Sequence, residues 1–557
     1  MKSILLILIA ATIFSTACGD VHNDLWNNMN QKISSDKQIT SFTINGYKAR
    51  VSGLTIRSVL PYGSSVKELT PVITHNGAAI SPESGTVQDF SSPVTYTVTA
   101  TDGTTEKYTV SVTVLDAAGM ANADLSILKV KKGKLQPTFN AGVTNYLDAP
   151  IPFSDSASPA YNDKQSNSLI ADPEILIATM TINGTPVENA EEYLISNLAV
   201  GPNNITITVT AVDGTYKNYS VNMYRAIPIF KTGAGEISGY DLNPLEDGAT
   251  QRGVNWPTVR FTDNGDGTVS DRMTGLMWFK DAKKISTTHN FGNAVLEAQN
   301  ITGFCGYYDW YLPNINEMRS LMNYGTIGYD YLSTIFNNCS HSEEWWTSTS
   351  SPVSPTLNGY TFWMQEFLSS FETDTKSSSL NVWAVRGNSK FIPKTGQVNS
   401  QVVSLGDDGD LEKGIVWPNP RFYTDSSGAI VDNMTSLMWF PSAGSTQRTW
   451  IDSINFIEKT LNPDTSGANL GYNDWKLPNT NELMTLMNYG ESNLNLWLNL
   501  QGFTLSGSLP YWTSTSGYIS PLTNAFLVYF TDQSLSIFIK GASYNVLPVR
   551  QARIINY

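Results

Sequence analysis

Cysteine and histidine are scarce, with three and four residues in a chain of 557. That excludes a disulfide-dense scaffold and leaves little room for metal or acid–base chemistry. His22, His75, His289 and His341 form no Ser-His-Asp order, and zinc-ligand spacing, a phosphate loop and a dinucleotide fingerprint are all missing. Charge is thin as well: 15% of residues are Asp, Glu, Lys or Arg, and 35 Lys+Arg against 49 Asp+Glu give a net charge of −14. Phosphate backbones and anionic lipid surfaces repel such a chain, which argues against nucleic-acid binding and basic membrane attachment. Tryptophan is missing from residues 27–255, whereas 13 of the 14 lie from Trp256 onward, so two kinds of domain are expected.

The one long apolar run, residues 4–14, is too short to span a bilayer of about 30 Å and matches the core of a signal peptide over residues 1–17. Ser15-Thr16-Ala17 before Cys18 resembles a bacterial lipobox, departing at Ser15, where leucine is preferred. The resemblance implies acylation of Cys18, a tether over residues 18–36, and lipid anchorage in the outer membrane, facing the cell surface or the periplasm. The membrane would be engaged through that anchor only.

Residues 37–116 alternate apolar and polar positions in short runs. Thr95-Tyr96-Thr97-Val98-Thr99-Ala100 meets Asp102-Gly103 and then Tyr108-Thr109-Val110-Ser111-Val112, which predicts a β-hairpin. The pattern returns 111 residues later, with Ile205-Thr206-Ile207-Thr208-Val209 before Asp213-Gly214 and Tyr219-Ser220-Val221. Residues 123–226 resemble the bacterial cadherin-like β-sandwich family, and residues 37–116 resemble related surface-lipoprotein sandwiches. Both are expected to act as spacers, with residues 154–168 as a loop insertion in the second.

The remainder is a tandem repeat, offset by 161–166 residues. Leu276-Met277-Trp278-Phe279 returns as Leu437-Met438-Trp439-Phe440, and Asp309-Trp310-Tyr311-Leu312-Pro313-Asn314 as Asp474-Trp475-Lys476-Leu477-Pro478-Asn479. Leu321-Met322-Asn323-Tyr324-Gly325 and Trp346-Thr347-Ser348-Thr349-Ser350 recur in the same order, as does Val385-Arg386. These landmarks resemble the C-terminal domain of the Legionella collagen-like adhesin, in a first copy over residues 227–389 and a second over 390–557. The resemblance implies a C-type-lectin-like topology. The expected fold is therefore multidomain: two all-β sandwiches followed by two α+β C-type-lectin-like domains in tandem.

Most of the repeated motifs describe a scaffold. Asn314-x-x-Glu317 and Asn479-x-x-Glu482 have capping-box spacing. Gly325 and Gly490 stand where helix C-caps are expected. Trp278, Trp310, Trp346, Trp439, Trp475 and Trp512 recur in both copies and read as core. Trp345, Trp363, Trp383, Trp450 and Trp497 match less clearly and are the candidates for surface stacking on a ligand. Asp263-Asn264-Gly265-Asp266-Gly267 reads first as a hairpin turn and second as a calcium loop, because the matching Asp425-Ser426-Ser427-Gly428 drops a carboxylate. Cys305 and Cys339 are both missing from the second copy, as a disulfide pair would be, and a bridge between them is expected.

No cofactor is implied, and the expected protein is not an enzyme. It is an envelope lipoprotein that acts as an adhesin or ligand-binding protein. The family resemblance implies adhesion, including to glycosaminoglycans. The acidity of both repeats disfavours sulfated glycans and points to a host matrix protein, a cell-envelope protein or a neutral glycan. A structural envelope protein without a soluble ligand is the rival reading, and a polysaccharide-processing enzyme the weaker one.

Overall fold

The computed structural model describes residues 34–131, 133–151, 166–235, 243–326, 328–339, 342–364, 370–402, 405–442, 444, 446–505, 507–518 and 520–552. Cys18 and the signal segment lie outside them. The chain is multidomain and mostly β, with few and short helices. It divides into two compact units: residues 1–127 with 171–191 and 207–218, and residues 128–170 with 192–206 and 219–557.

In the first unit, strands Arg50–Ser52, Thr55–Leu60, Thr105–Val114, Val94–Thr99 and Ala79–Ser81 form one sheet in that spatial order. Tyr47–Lys48, Ile39–Ile44 and Val72–His75 form a second. Period-two alternation buries Ile56, Ser58 and Leu60 on one side of their strand, in a core with Phe42, Tyr96, Val98 and Val110. The expected hairpin forms, with Val94–Thr99 antiparallel to Thr105–Val114. Its turn places Gly103 at φ +81°, and Asp102 accepts from the Thr104 amide and hydroxyl. Asp213 repeats this arrangement with Thr215.

In the second unit, Lys134–Gln136 pairs antiparallel with Asn145–Ile151, which runs parallel to Tyr216–Arg225. The tandem repeat follows. Each copy has its own small sheet: Phe261–Asp263, Thr268–Asp271, Met277–Phe279, Val385–Arg386 and Trp310–Tyr311 in the first, and Phe422–Thr424, Ile430–Asp432, Leu437–Trp439 and Val549–Gln551 in the second. The copies also share a six-stranded sheet. Its order is Glu343–Ser350, Asn358–Met364, Ser370–Thr375, Leu535–Ile539, Asn524–Val528 and Tyr511–Ser516, and it crosses from copy to copy at Phe371 opposite Leu535.

Both capping boxes are present, on helices Ile315–Arg319 and Thr480–Met484. The glycines expected to cap them have another role. The helices end at Ser320 and Thr485, a turn earlier. A Cβ on Gly325 would lie 2.1 Å from the Gly233 carbonyl oxygen, and one on Gly490 would lie 2.4 Å from that of Gly396. These residues are glycine because another segment's backbone passes against them.

Those passing segments are the arms that lead into each copy, the described parts of residues 227–257 and 390–418; each packs on its own copy at these glycines and also reaches across to the other copy. Asp247 of the first arm accepts from Thr232 at 2.6 Å and from Thr515 of the second copy at 2.8 Å. Asp408 of the second arm accepts from Thr395 and from Thr349 of the first copy, both at 2.7 Å. Asn481 donates to the Phe230 carbonyl and Asn316 to the Pro393 carbonyl. Arg252 pairs with Glu482 at 2.7 Å and donates to the Leu477 carbonyl. The two copies are thus tied by pseudo-two-fold contacts of the arms.

These contacts bury carboxylates, with a consequence for pH. Burial raises Glu317 and Asp408 to about 7, and Glu246 and Asp247 are raised for the same reason. Between the ordinary carboxylate range, about 4, and 7, the folded state therefore binds more protons than the unfolded chain. The stability these groups contribute is present below that window and is lost as pH rises through 7. The turn carboxylates that are lowered, such as Asp102 and Asp213, titrate below it. We expect thermal melts to show a falling Tm from pH 5 to pH 8. Asp408→Asn, which keeps an oxygen acceptor for both threonines, should flatten the fall, and an unchanged slope would refute the assignment.

The Asp263–Asp266 segment closes the expected hairpin between Phe261–Asp263 and Thr268–Asp271. Asp263 is paired with Lys280 at 2.6 Å, and Asp266 accepts from the Thr268 amide and hydroxyl. The expected Cys305–Cys339 bridge is not formed, and both residues are free thiols. Cys305, at φ +53°, donates its Sγ proton to the Asp266 carbonyl, whereas Cys339 is buried and its thiol is pushed up by that burial. Their shared loss from the second copy therefore does not correspond to a bond in the structure.

Candidate functional site

Of the tryptophans expected at the surface, Trp345, Trp383 and Trp450 are buried. Each indole N–H donates inward, to the carbonyls of Ala282, Phe279 and Thr513 respectively. They are core residues. Trp363 is half-buried on its strand, opposite Glu344 and Ser370. Trp497 is half-buried against Trp417 and Phe422, at ring distances of 6.0 and 5.8 Å.

The most ordered aromatic arrangement was not among the expected residues. Trp256 and Trp417, one from each arm, line a single cleft of about 130 Å³ between the copies. Each is half-buried and donates its indole N–H at 2.8 Å, to the Lys231 and Lys394 carbonyls. Behind each ring stands a guanidinium: Arg260 lies 4.8 Å from Trp256, and Arg421 4.3 Å from Trp417. These arginines are held by the fully buried Asp271 and Asp432. The signal was legible as a repeated Trp-Pro-x-x-Arg at residues 256–260 and 417–421. It lies outside the more conspicuous motifs of the repeat.

A second cleft, of about 590 Å³, opens between the first arm and the second copy. Its character is polar. Arg252 with Glu482 and Arg550 with Asp474 line it as ion pairs at 2.7 and 2.6 Å, alongside Lys231, Lys476 and Gln551. Donors and acceptors are thus both presented over a space of small-ligand size. No helix among the described residues is long and apolar enough to cross a membrane. No group of three His, Cys, Asp or Glu residues among them is placed to hold a metal.

The comparisons give the modules of this mostly β chain their family matches. Residues 39–112 match the SGBP N-terminal domain, residues 153–226 the cadherin-like beta sandwich domain, and residues 267–386 and 428–550 the Lcl C-terminal domain. The chain carries two copies of the Lcl C-terminal domain behind a cadherin-like sandwich and an SGBP-type domain. No curated protein matches it. Among solved structures, a presumed glycoside hydrolase of Bacteroides thetaiotaomicron is 16% identical, over 39% of this chain and 87% of its own, with a TM-score of 0.15. The Yersinia pseudotuberculosis adhesin InvE is 10% identical, over 61% and 97%, with a TM-score of 0.14. Bacteroides ovatus SGBP-B, solved with a mixed-linkage heptasaccharide, is 10% identical, over 38% and 66%, with a TM-score of 0.10. Superpositions this loose carry no argument.

Proposed function

We propose that this protein is a surface glycan-binding lipoprotein, anchored through Cys18, that acts by binding rather than by catalysis. The observation that carries the reading is the SGBP N-terminal domain over residues 39–112, a domain of surface glycan-binding proteins. The polar cleft of the second copy supports it. Paired Arg–carboxylate groups present fixed donors and acceptors to sugar hydroxyls without reorganisation. The Lcl-type copies are read as C-type-lectin-like presenters, and the sandwiches as spacers. Net charge favours a neutral glycan, and the matches lend no support to a host matrix partner.

The test is a glycan panel on the full chain, read by calorimetry at low and physiological salt. Binding to a neutral oligosaccharide should be insensitive to salt, since no long-range attraction contributes. Lys476→Ala removes an exposed cleft side chain and should weaken binding about tenfold, the worth of one hydrogen bond to a charged donor. Absence of binding to any glycan would favour the structural envelope reading. Release of reducing sugar would favour the enzymatic one.

A further inference from the structure

We propose that the cleft between the two copies binds one small aromatic molecule of phenyl size per chain. This goes beyond the glycan reading and rests on other residues. The cleft offers about 130 Å³. An enclosed apolar cavity of about 150 Å³ accepts benzene, and this cleft, open to solvent on one side, offers nearly that space. Its walls are mainly apolar, with Lys231, Lys394 and Arg319 also lining it, and the apolar residues come in pseudo-two-fold pairs: Phe230 with Phe391, Trp256 with Trp417, and Met273 with Met434. Indole faces and methionine sulfurs favour an aromatic guest over an aliphatic one of equal area.

Most of the neutral polar groups that line the cleft are already engaged, which argues for the same guest, and of the cations Arg319 donates to Tyr489 and Lys394 pairs with Glu412. The indole N–H groups serve the Lys231 and Lys394 carbonyls, and the amides of Asn316 and Asn481 serve the carbonyls of the two arms. The Ser320 and Thr485 hydroxyls donate to the Glu317 and Glu482 carbonyls of their own helices, both at 2.6 Å. A sugar entering here would surrender the water on its hydroxyls and find few replacements, at a cost of about 1–3 kcal/mol for each unpaired group. An unsubstituted ring loses nothing of the kind. The walls are also fixed in advance, because each tryptophan is backed by a buried Arg–Asp pair. Since both copies contribute to one space, the stoichiometry is one per chain rather than one per repeat.

The experiment is a titration of the full chain with benzene, followed by calorimetry and by the thermal shift that ligand linkage requires. Saturable binding at one site per chain is expected, weakened at least tenfold by Trp256→Ala and by Trp417→Ala. Trp256→Phe and Trp417→Phe, which preserve a ring, should retain most of the affinity and serve if the alanine variants fail to fold. Lack of saturable binding by a chain with an intact melt, or binding that all four variants leave unchanged, would overturn the proposal. A phenylalanine-bearing tripeptide that bound tenfold tighter than benzene would overturn it in favour of protein docking. Benzene binding without glycan binding, or the reverse, separates this inference from the functional one.

Discussion

Replacing Arg260 with alanine is expected to lower the unfolding free energy by about 3–5 kcal/mol, because it strands a buried charge. The Asp271 side chain is fully buried, and Arg260 meets both of its oxygens, at 3.1 and 3.0 Å. The remaining partners of Asp271, the Met273 amide and the Thr274 hydroxyl, leave its charge uncompensated. The same arginine also donates to the Ser320 carbonyl and backs the rings of Trp256 and Phe261. Denaturant melts of Arg260→Ala and of the double variant Arg260→Met, Asp271→Asn would separate the terms. The double variant should recover much of the loss, because removing both charges leaves nothing to desolvate. A single-variant loss below about 1 kcal/mol would show that the pair behaves as an exposed one.

Gly325→Ala is expected to destabilise the protein by about 1–3 kcal/mol through overpacking, and to do so by displacing the arm. The new methyl would fall 2.1 Å from the Gly233 carbonyl oxygen and 3.1 Å from the Ala234 Cα, both backbone atoms that cannot rotate away. On a helix C-cap, by contrast, alanine at this position would matter through backbone conformation alone, and Gly325 is not at a positive φ. The variant should therefore increase hydrogen exchange at the Tyr324 amide, which donates to the Thr232 carbonyl of the arm. An effect confined to helix Ile315–Arg319, with the arm as protected as before, would contradict this account.

Local features were legible because their causes lie within a few residues. The Asp-Gly hairpins at residues 102–103 and 213–214 and both Asn-x-x-Glu capping boxes form as the spacing requires, each satisfying backbone donors with a neighbouring side chain. Burial was legible for the six tryptophans shared by the copies, Trp278, Trp310, Trp346, Trp439, Trp475 and Trp512, all of which are core, but not for the others. Trp345 and Trp383 are core residues, whereas Trp256 and Trp417 line a cleft, and a lone indole in a sequence looks alike in either setting. Comparison of the copies also misled at the cysteines. Shared absence records which residues vary together, while a disulfide needs two Cβ atoms brought within about 4 Å.

The sequence by itself determined the modules: the tandem repeat, the β-rich segments before it, the capped helices and a composition poor in catalytic side chains. These follow from periodicity, turn chemistry and repetition, which act over short distances. Only the tertiary structure decided that the two repeats are one body. The reach of each arm across to the other copy places Asp247 on Thr515 and Asp408 on Thr349, and it alone creates both clefts. An arm satisfies its carboxylates equally well in local pattern against its own copy or against the other. The choice rests on which packing buries both arms and joins the six-stranded sheet at once.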